Sequence, residues 1–213
     1  CEVVGVKSAD RVIAVSGMIR KYLKKRYGVR AETISNGIHR PRRIAAGPFL
    51  RNHELEPDRY FLFVGRLVPE KGVHLLLDAF EELGCDWKLV VAGPAQETSY
   101  ARDLRRRAER NPRVVIPGGV FGDALCELYS NAGAFVLPSF LEGWSISCME
   151  ALSYRLPIAA SALPSIEEEV KGVDGAEVFL FAPGEGAALK ASMRRARECA
   201  ERRRRPGCVG PSR

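Results

Sequence analysis

Two carboxylates, Glu142 and Glu150, stand eight positions apart in the stretch Ser139-Phe140-Leu141-Glu142-Gly143-Trp144-Ser145-Ile146-Ser147-Cys148-Met149-Glu150-Ala151-Leu152. An apolar run, Ala134-Phe135-Val136-Leu137-Pro138, precedes them, and a helix-like stretch carries the second. The spacing predicts that Glu142 sits in the turn leaving a buried strand. Glu150 then falls about one and a half turns into the following helix. A carboxylate at either place can accept hydrogen bonds from vicinal hydroxyls. Between them, Gly143, Trp144, Ser145 and Ile146 supply backbone N–H groups at a helix N-terminus, which faces an anion. The pattern suits a sugar joined to a nucleoside diphosphate.

A second set lies upstream, in Val64-Gly65-Arg66-Leu67-Val68-Pro69-Glu70-Lys71-Gly72. Gly65 lets backbone approach a ligand closely. Arg66 and Lys71 are two cations near the start of a helix, a setting that favours a diphosphate. Charge that builds on a leaving diphosphate would be stabilised there. Pro117-Gly118-Gly119-Val120 forms a third loop, and Gly93-Pro94 ends another apolar run.

The elements that must position these loops alternate. Short apolar runs predict strands at Tyr60–Val64, Lys88–Ala92, Val114–Ile116, Ala134–Leu137, Pro157–Ala160 and Glu177–Phe181. Helices are expected at Val73–Leu83, Tyr100–Arg110, Asp123–Asn131, Ser145–Tyr154 and Ser165–Lys171, with a final helix from Glu185 to Arg204 leaving the domain. Such alternation implies right-handed crossovers and an α/β, Rossmann-like doubly wound parallel sheet. Ligands bind beyond the strand C-termini of such a sheet, where the three loops lie. Residues 1–40 read as a separate piece. Arg11–Val15 is a strand, Ser16 caps a helix at Met18–Tyr27 that Gly28 ends, and Ala31–Ile34 is a second strand. Residues 41–59, rich in Arg, Pro and Gly, read as a linker; residues 60–189 form the main domain, and residues 190–213 a basic helix and tail.

With these pieces in order, the chain resembles the retaining GT-B glycosyltransferases, in particular glycosyltransferase family four (group 1). The resemblance rests on the E-x7-E pair, on the Gly65-Arg66 and Lys71-Gly72 loop, and on the segments Ala9–Ser16 and Ser35-Asn36-Gly37-Ile38. It covers roughly residues 8–185 and implies the C-terminal, donor-binding half of a GT-B fold, preceded by a remnant of the acceptor domain. In that family the Arg and Lys contact the donor diphosphate. The first Glu, here Glu142, lies near the transferred sugar, and the second, Glu150, binds the ribose hydroxyls. The resemblance thus assigns catalytic roles to Glu142, Arg66 and Lys71. It assigns donor binding to Gly65, Arg66, Lys71, Gly119, Val120, Gly143, Trp144, Ser145, Ile146 and Glu150. It implies transfer of a hexose from a UDP-, GDP- or ADP-sugar to a glycan, lipid-linked or small-molecule acceptor, with retention, and no cofactor. A cytoplasmic protein is expected, with peripheral contact at the inner membrane face left open. Arg155 stands where Gly is usual in the family, and Ala162 where Asp or Asn is common. These departures keep a non-catalytic nucleotide-sugar-binding domain in view. The non-hydrolysing sugar-nucleotide epimerases share the GT-B fold but fit these motifs less well.

Composition narrows the rest. The chain has 213 residues and a formal charge of +7. Lys190 to Arg213 alone hold nine Lys/Arg against two Asp/Glu, so the excess belongs to the tail and the remainder is neutral. That argues against a nucleic-acid-binding surface on the fold itself. Arg202 to Arg205 leave open an RNA or anionic-membrane contact, beside the plainer reading of a solvated helix end. Six cysteines without C-x-x-C spacing and three scattered histidines, His39, His53 and His74, give no zinc pattern. Cys85, Cys126 and Cys148 read as buried free thiols in a reducing compartment. The start at Cys1-Glu2-Val3-Val4 is neither a signal peptide nor an initiator Met, so the chain reads as a fragment.

Overall fold

The apolar runs of the second segment become strands buried on both faces. In the computed structural model, which describes residues 2–204, Tyr60 to Phe63 are fully buried and Ala134 to Leu137 nearly so. Cys1, Arg205, Cys208 and the rest of 205–213 lie outside the described residues. The small N-terminal piece holds α1 (Glu2–Ser8), β1 (Ile13–Ala14), α2 (Gly17–Tyr27) and β2 (Glu32–Thr33). Ser16 caps α2, its Oγ accepting the Ile19 N–H at 3.2 Å, and Gly28 ends it in the left-handed region. The strands expected at 11–15 and 31–34 shrink to two residues each. They pair in parallel with one another alone, so the ladder ends where their contact ends.

The main domain runs α3 (Pro48–Asn52), β3 (Tyr60–Val64), a 3-10 turn (Pro69–Lys71), α4 (Val73–Leu83), β4 (Lys88–Ala92), α5 (Ser99–Glu109), β5 (Val114–Gly118), α6 (Gly122–Asn131), β6 (Ala134–Leu137), α7 (Ile146–Ser153), β7 (Ile158–Ser161), α8 (Pro164–Val170), β8 (Val178–Phe181) and α9 (Gly186–Arg204). Its six strands are all parallel, in the order β5-β4-β3-β6-β7-β8. The order reverses between β3 and β6, where the chain winds first one way and then the other. The crevice at such a point, beyond the strand C-termini, is open because the following loops diverge. Trp87 fills the opposite end of the core, its ring 5.0 Å from that of Phe61.

Two expectations need correction. The segment read as a linker contains α3, and its Leu50 and Leu55 belong to the core. Polar anchors from α6 hold it there. Glu127 Oε1 accepts the N–H groups of Gly47 and Leu50 at 2.8 and 2.9 Å, capping α3 from outside. Asn131 donates to the Ile44 carbonyl, and the Ser130 hydroxyl accepts the Ile44 N–H, both at 2.9 Å. The polar composition of the segment concealed this, because its partners lie some 80 residues away in sequence. Likewise α9 does not leave the domain. Leu189, Met193, Ala196 and Ala200 recur on one face and pack against the sheet and α4. Its terminal arginines are engaged: Arg203 pairs with Glu177 and donates to the Arg155 carbonyl, and Arg204 pairs with Asp58 at 3.6 Å. Among the described residues no helix is long and apolar enough to cross a membrane.

Two glycines are dictated by close approach of the loops. At Gly72, φ is +66°, and an added Cβ would lie 2.2 Å from the Pro138 carbonyl oxygen. At Gly93 an added Cβ would lie 1.8 Å from the Gly65 carbonyl oxygen. Gly72→Ala combines left-handed strain with a backbone collision. It is expected to lower unfolding stability by about 3 kcal/mol, read as a lower urea midpoint with an unchanged slope.

Candidate active site

Sequence dictates that the loop after β3 turns sharply back, since Pro69 starts a 3-10 turn and Gly72 ends it. Gly72 then lies against Pro138, which ends β6, so the loops after β3 and β6 meet over the switch point. The Phe140 N–H donates to the Glu70 carbonyl at 2.8 Å and ties them again. The side chains complete the junction: Lys71 Nζ is 2.6 Å from Glu142 Oε1. Glu142 is 6% exposed, and Ser139 donates to the same oxygen at 2.7 Å. Two residues 71 positions apart in sequence thus form one charged unit.

The remaining candidates surround this pair in part. Arg66 is exposed and has no ion pair among the described residues. Gly65 is half-buried beside the Phe63 ring. Ser145 is buried and caps α7, its Oγ accepting the Cys148 N–H at 3.2 Å. The N–H groups of Ile146 and Ser147, in the first turn, are not taken by this cap, so α7 presents a positive end next to Glu142. Ile146 itself is 48% exposed. Gly143 and Trp144 are half-buried, and the Trp144 indole nitrogen is buried with no hydrogen-bond partner. Gly143 lies under Ile19 of α2, so the N-terminal piece closes over this turn.

Glu150 sits deeper, half-buried, with burial pushing its carboxyl above the usual range. The Tyr129 hydroxyl beside it and His39 nearby pull the other way. The same hydroxyl lies 3.3 Å from the Ser147 carbonyl. Gly119, after β5, is exposed, whereas the Val120 side chain belongs to the core, so Val120 offers a ligand its backbone only. Gly119 and Val120 follow β5, at the sheet edge and two strands from the switch point, and among the described residues they form no hydrogen bond with the Lys71–Glu142 unit.

Sequence reasoning missed Ser139, Tyr129, Ser165 and Glu169. Ser165 Oγ donates to the Glu142 carbonyl at 2.8 Å, and Glu169 Oε1 accepts the Ser145 N–H at 2.5 Å. A signal for Glu169 existed: it follows buried Ile166 by three positions on a helix and shares its face. Of the two departures from the family pattern, Arg155 takes the left-handed conformation itself, with φ 59°, so the turn that Gly would make is preserved. Cys85, Cys148 and Cys199 are buried free thiols, and Cys126 is half-buried. A cavity of about 570 Å³ lined by Arg107, Arg110 and Arg113 lies before β5, away from these loops, and its Arg107 and Arg113 are already engaged with Asp78 and the Cys85 carbonyl.

A doubly wound parallel sheet that carries a Lys–Glu unit at its switch point has the architecture of the C-terminal half of a GT-B fold. The family model described as glycosyl transferases group 1 matches residues 49–211, and the chain belongs to that family. It is 33% identical over 118 residues to an uncharacterised glycosyltransferase of Methanocaldococcus jannaschii, covering 54% of this chain and 30% of that protein. It is 29% identical over 169 residues to an O-antigen chain mannosyltransferase of Salmonella typhimurium, covering 76% of this chain and 45% of that one. Among solved structures it superposes on Anabaena HepE in complex with UDP with a TM-score of 0.72 at 22% identity, over 94% of this chain and 61% of that one. The chain therefore spans less than half the length of these two sequence relatives.

The Lys71–Glu142 unit generates a stability prediction. Lys71→Met leaves a buried carboxylate without its cation and is expected to cost about 3 kcal/mol of stability. Adding Glu142→Gln should recover part of that loss. A double-mutant cycle by chemical denaturation measures the coupling, and additive single effects would contradict it.

Proposed function

We propose that this chain is the donor-binding part of a retaining hexosyltransferase, and that residues 1–40 belong to the acceptor side of the same enzyme. The observation that carries the reading is the junction of the cationic loop after β3 with the carboxylate loop after β6, at the one place where a doubly wound sheet opens a crevice. The UDP held by HepE supports a nucleoside diphosphate as the leaving group. The Salmonella mannosyltransferase supports a hexose donor and a glycan acceptor.

In this reading Arg66 and Lys71, with the first turn of α7, meet the diphosphate. Arg66 is free to fold onto it, whereas Lys71 is already held by Glu142. Gly65 admits the phosphates close to the backbone. Glu142 accepts hydrogen bonds from the transferred sugar and stabilises positive character at its anomeric carbon. Glu150, oriented by Tyr129, binds the ribose diol. The backbone of Gly119 and Val120 borders the base, and Gly143, Trp144, Ser145 and Ile146 line the turn between the two acids. As the bond from the anomeric carbon to the diphosphate breaks, charge gathers on the departing oxygen, and the fixed cations lower the barrier. The acceptor hydroxyl attacks the same face and passes its proton to that oxygen, so configuration is retained. The acceptor, a glycan, lipid or small molecule, would reach the crevice from the side of α2. No cofactor takes part in this scheme.

Calorimetric titration with UDP, GDP and ADP tests it. Saturable binding of at least one nucleotide is expected. Arg66→Ala should weaken that binding about tenfold or more, since charge-assisted hydrogen bonds to phosphate are lost. It should leave the unfolding midpoint unchanged, because Arg66 is exposed and unpaired. Glu150→Ala should weaken it by a similar factor. Absence of binding to all three nucleotides would overturn the assignment.

A further inference from the structure

Helix α8 carries Glu167-Glu168-Glu169, a run that reads as solvated acid. Its third member is 3% exposed, because it shares the face of fully buried Ile166. Burying a carboxylate is costly unless hydrogen bonds and cations offset the loss of water. Glu169 Oε1 has one such partner, the Ser145 N–H at 2.5 Å, while Oε2 is buried with none. An apolar side chain would fill the space without that cost, so packing alone does not account for an acid there. The same helix holds the same loop at a second point, where Ser165 donates to the Glu142 carbonyl. The two anchors bracket the turn from Glu142 to the N-cap of α7. On the outer face Glu168 accepts the Gly17 N–H at 2.9 Å and seats α2 against α8.

We propose that Glu169 is a positioning residue of the donor site, holding the Ser145 amide and with it the first turn of α7, and that its proton state sets how much positive charge a bound diphosphate meets. This rests on the donor-site reading given above. The groups that act on Glu169 come from four elements. Burial raises its carboxyl most, the Ser145 N–H opposes, Glu142 and its neighbour Glu168 raise it further, and Lys71 lowers it, leaving it at about 7. The Cys148 thiol of α7, pushed far up by burial and by Glu169 and Glu142, stays protonated and adds no charge.

With Glu169 ionised, Lys71 is shared between two carboxylates. With Glu169 protonated, only Glu142 balances it, and the site is more favourable to an anion. A diphosphate bound there raises the carboxyl further, so binding must take up protons above about pH 7 and little below it, where Glu169 already carries its proton. Conversely, because the folded carboxyl lies above its unfolded value, the protein loses stability as pH rises from about 5 to about 7.

The test is calorimetric titration of the chain with UDP, GDP and ADP at about pH 6 and about pH 8, in buffers of different ionisation heat, on wild type, E169Q and E169A. The Gln amide keeps an oxygen for the Ser145 N–H but does not titrate. E169Q is therefore expected to bind within about threefold of wild type at the lower pH and to lose the proton uptake at the higher one. The variant also removes from the comparison the nucleotide's own titration, which both proteins share. E169A loses the acceptor and is expected to bind about tenfold more weakly at both pH values. Full proton uptake in E169Q, or undiminished binding by E169A, would overturn the proposal. Should E169A fail to fold, the E169Q comparison decides alone. A wild type that binds none of the nucleotides overturns the donor-site reading, and the proposal with it, before any variant is compared.

Discussion

The ion pair between Lys71 and Glu142 is the constraint on which the rest of the site depends. Each side chain belongs to a loop that would wander if left to itself. Joined at 2.6 Å, they fix the two walls of the switch-point crevice against one another. The pair is mostly out of water, so its worth depends on completed hydrogen bonding. Ser139 supplies one bond to the carboxylate, and the backbone around it is held by Ser165. In the proposed reading, a donor diphosphate arriving at Lys71 would find a cation already in position and the acid proposed to face the sugar beside it. That is preorganisation: the ordering cost is met in folding rather than at binding.

The approach of the backbones makes the pair achievable. Gly72 packs its bare Cα against the Pro138 carbonyl, and Gly93 does the same against Gly65. Any Cβ at either position would push the loop after β3 away from its neighbours. The glycines therefore act on the candidate site from a distance, by setting the separation of its loops. Arg155 presents the opposite case, a bulky residue that accepts a left-handed turn, so that α7 ends where a glycine would have ended it.

Around this centre the fold recruits its periphery. Helix α8 clamps the acidic turn through Ser165 and Glu169 and receives α2 through Glu168. Helix α6 serves Glu150 through Tyr129 and pins the 44–50 segment through Glu127, Ser130 and Asn131. Helix α9 turns back over the sheet and absorbs much of the basic excess of the sequence in pairs with Glu82, Glu177 and Asp58.

The alternation of short apolar runs with amphipathic stretches was enough to specify the doubly wound sheet, because strand and helix periods differ and each run had the length of one element. The caps of α2 were legible too, since they depend on neighbours in the chain, whereas Arg155 stood out only as a departure from the family's Gly, and its left-handed turn came from the structure. The cations of the β3 loop, and the two acids in the β6 loop and in α7, announced themselves by type and spacing. What sequence did not contain was the distance between those loops. It left Glu142 without its cation, residues 41–59 like a linker, α9 like an exit and Glu169 unremarked within a helix. Each of these was decided by partners far away in the chain: Lys71 for Glu142, Glu127 for Gly47, the sheet for Met193, and Ser145 for Glu169. Local pattern sets which element forms, because backbone hydrogen bonding and side-chain period are local. Burial and charge pairing are properties of packed neighbours, and only the tertiary structure chooses those.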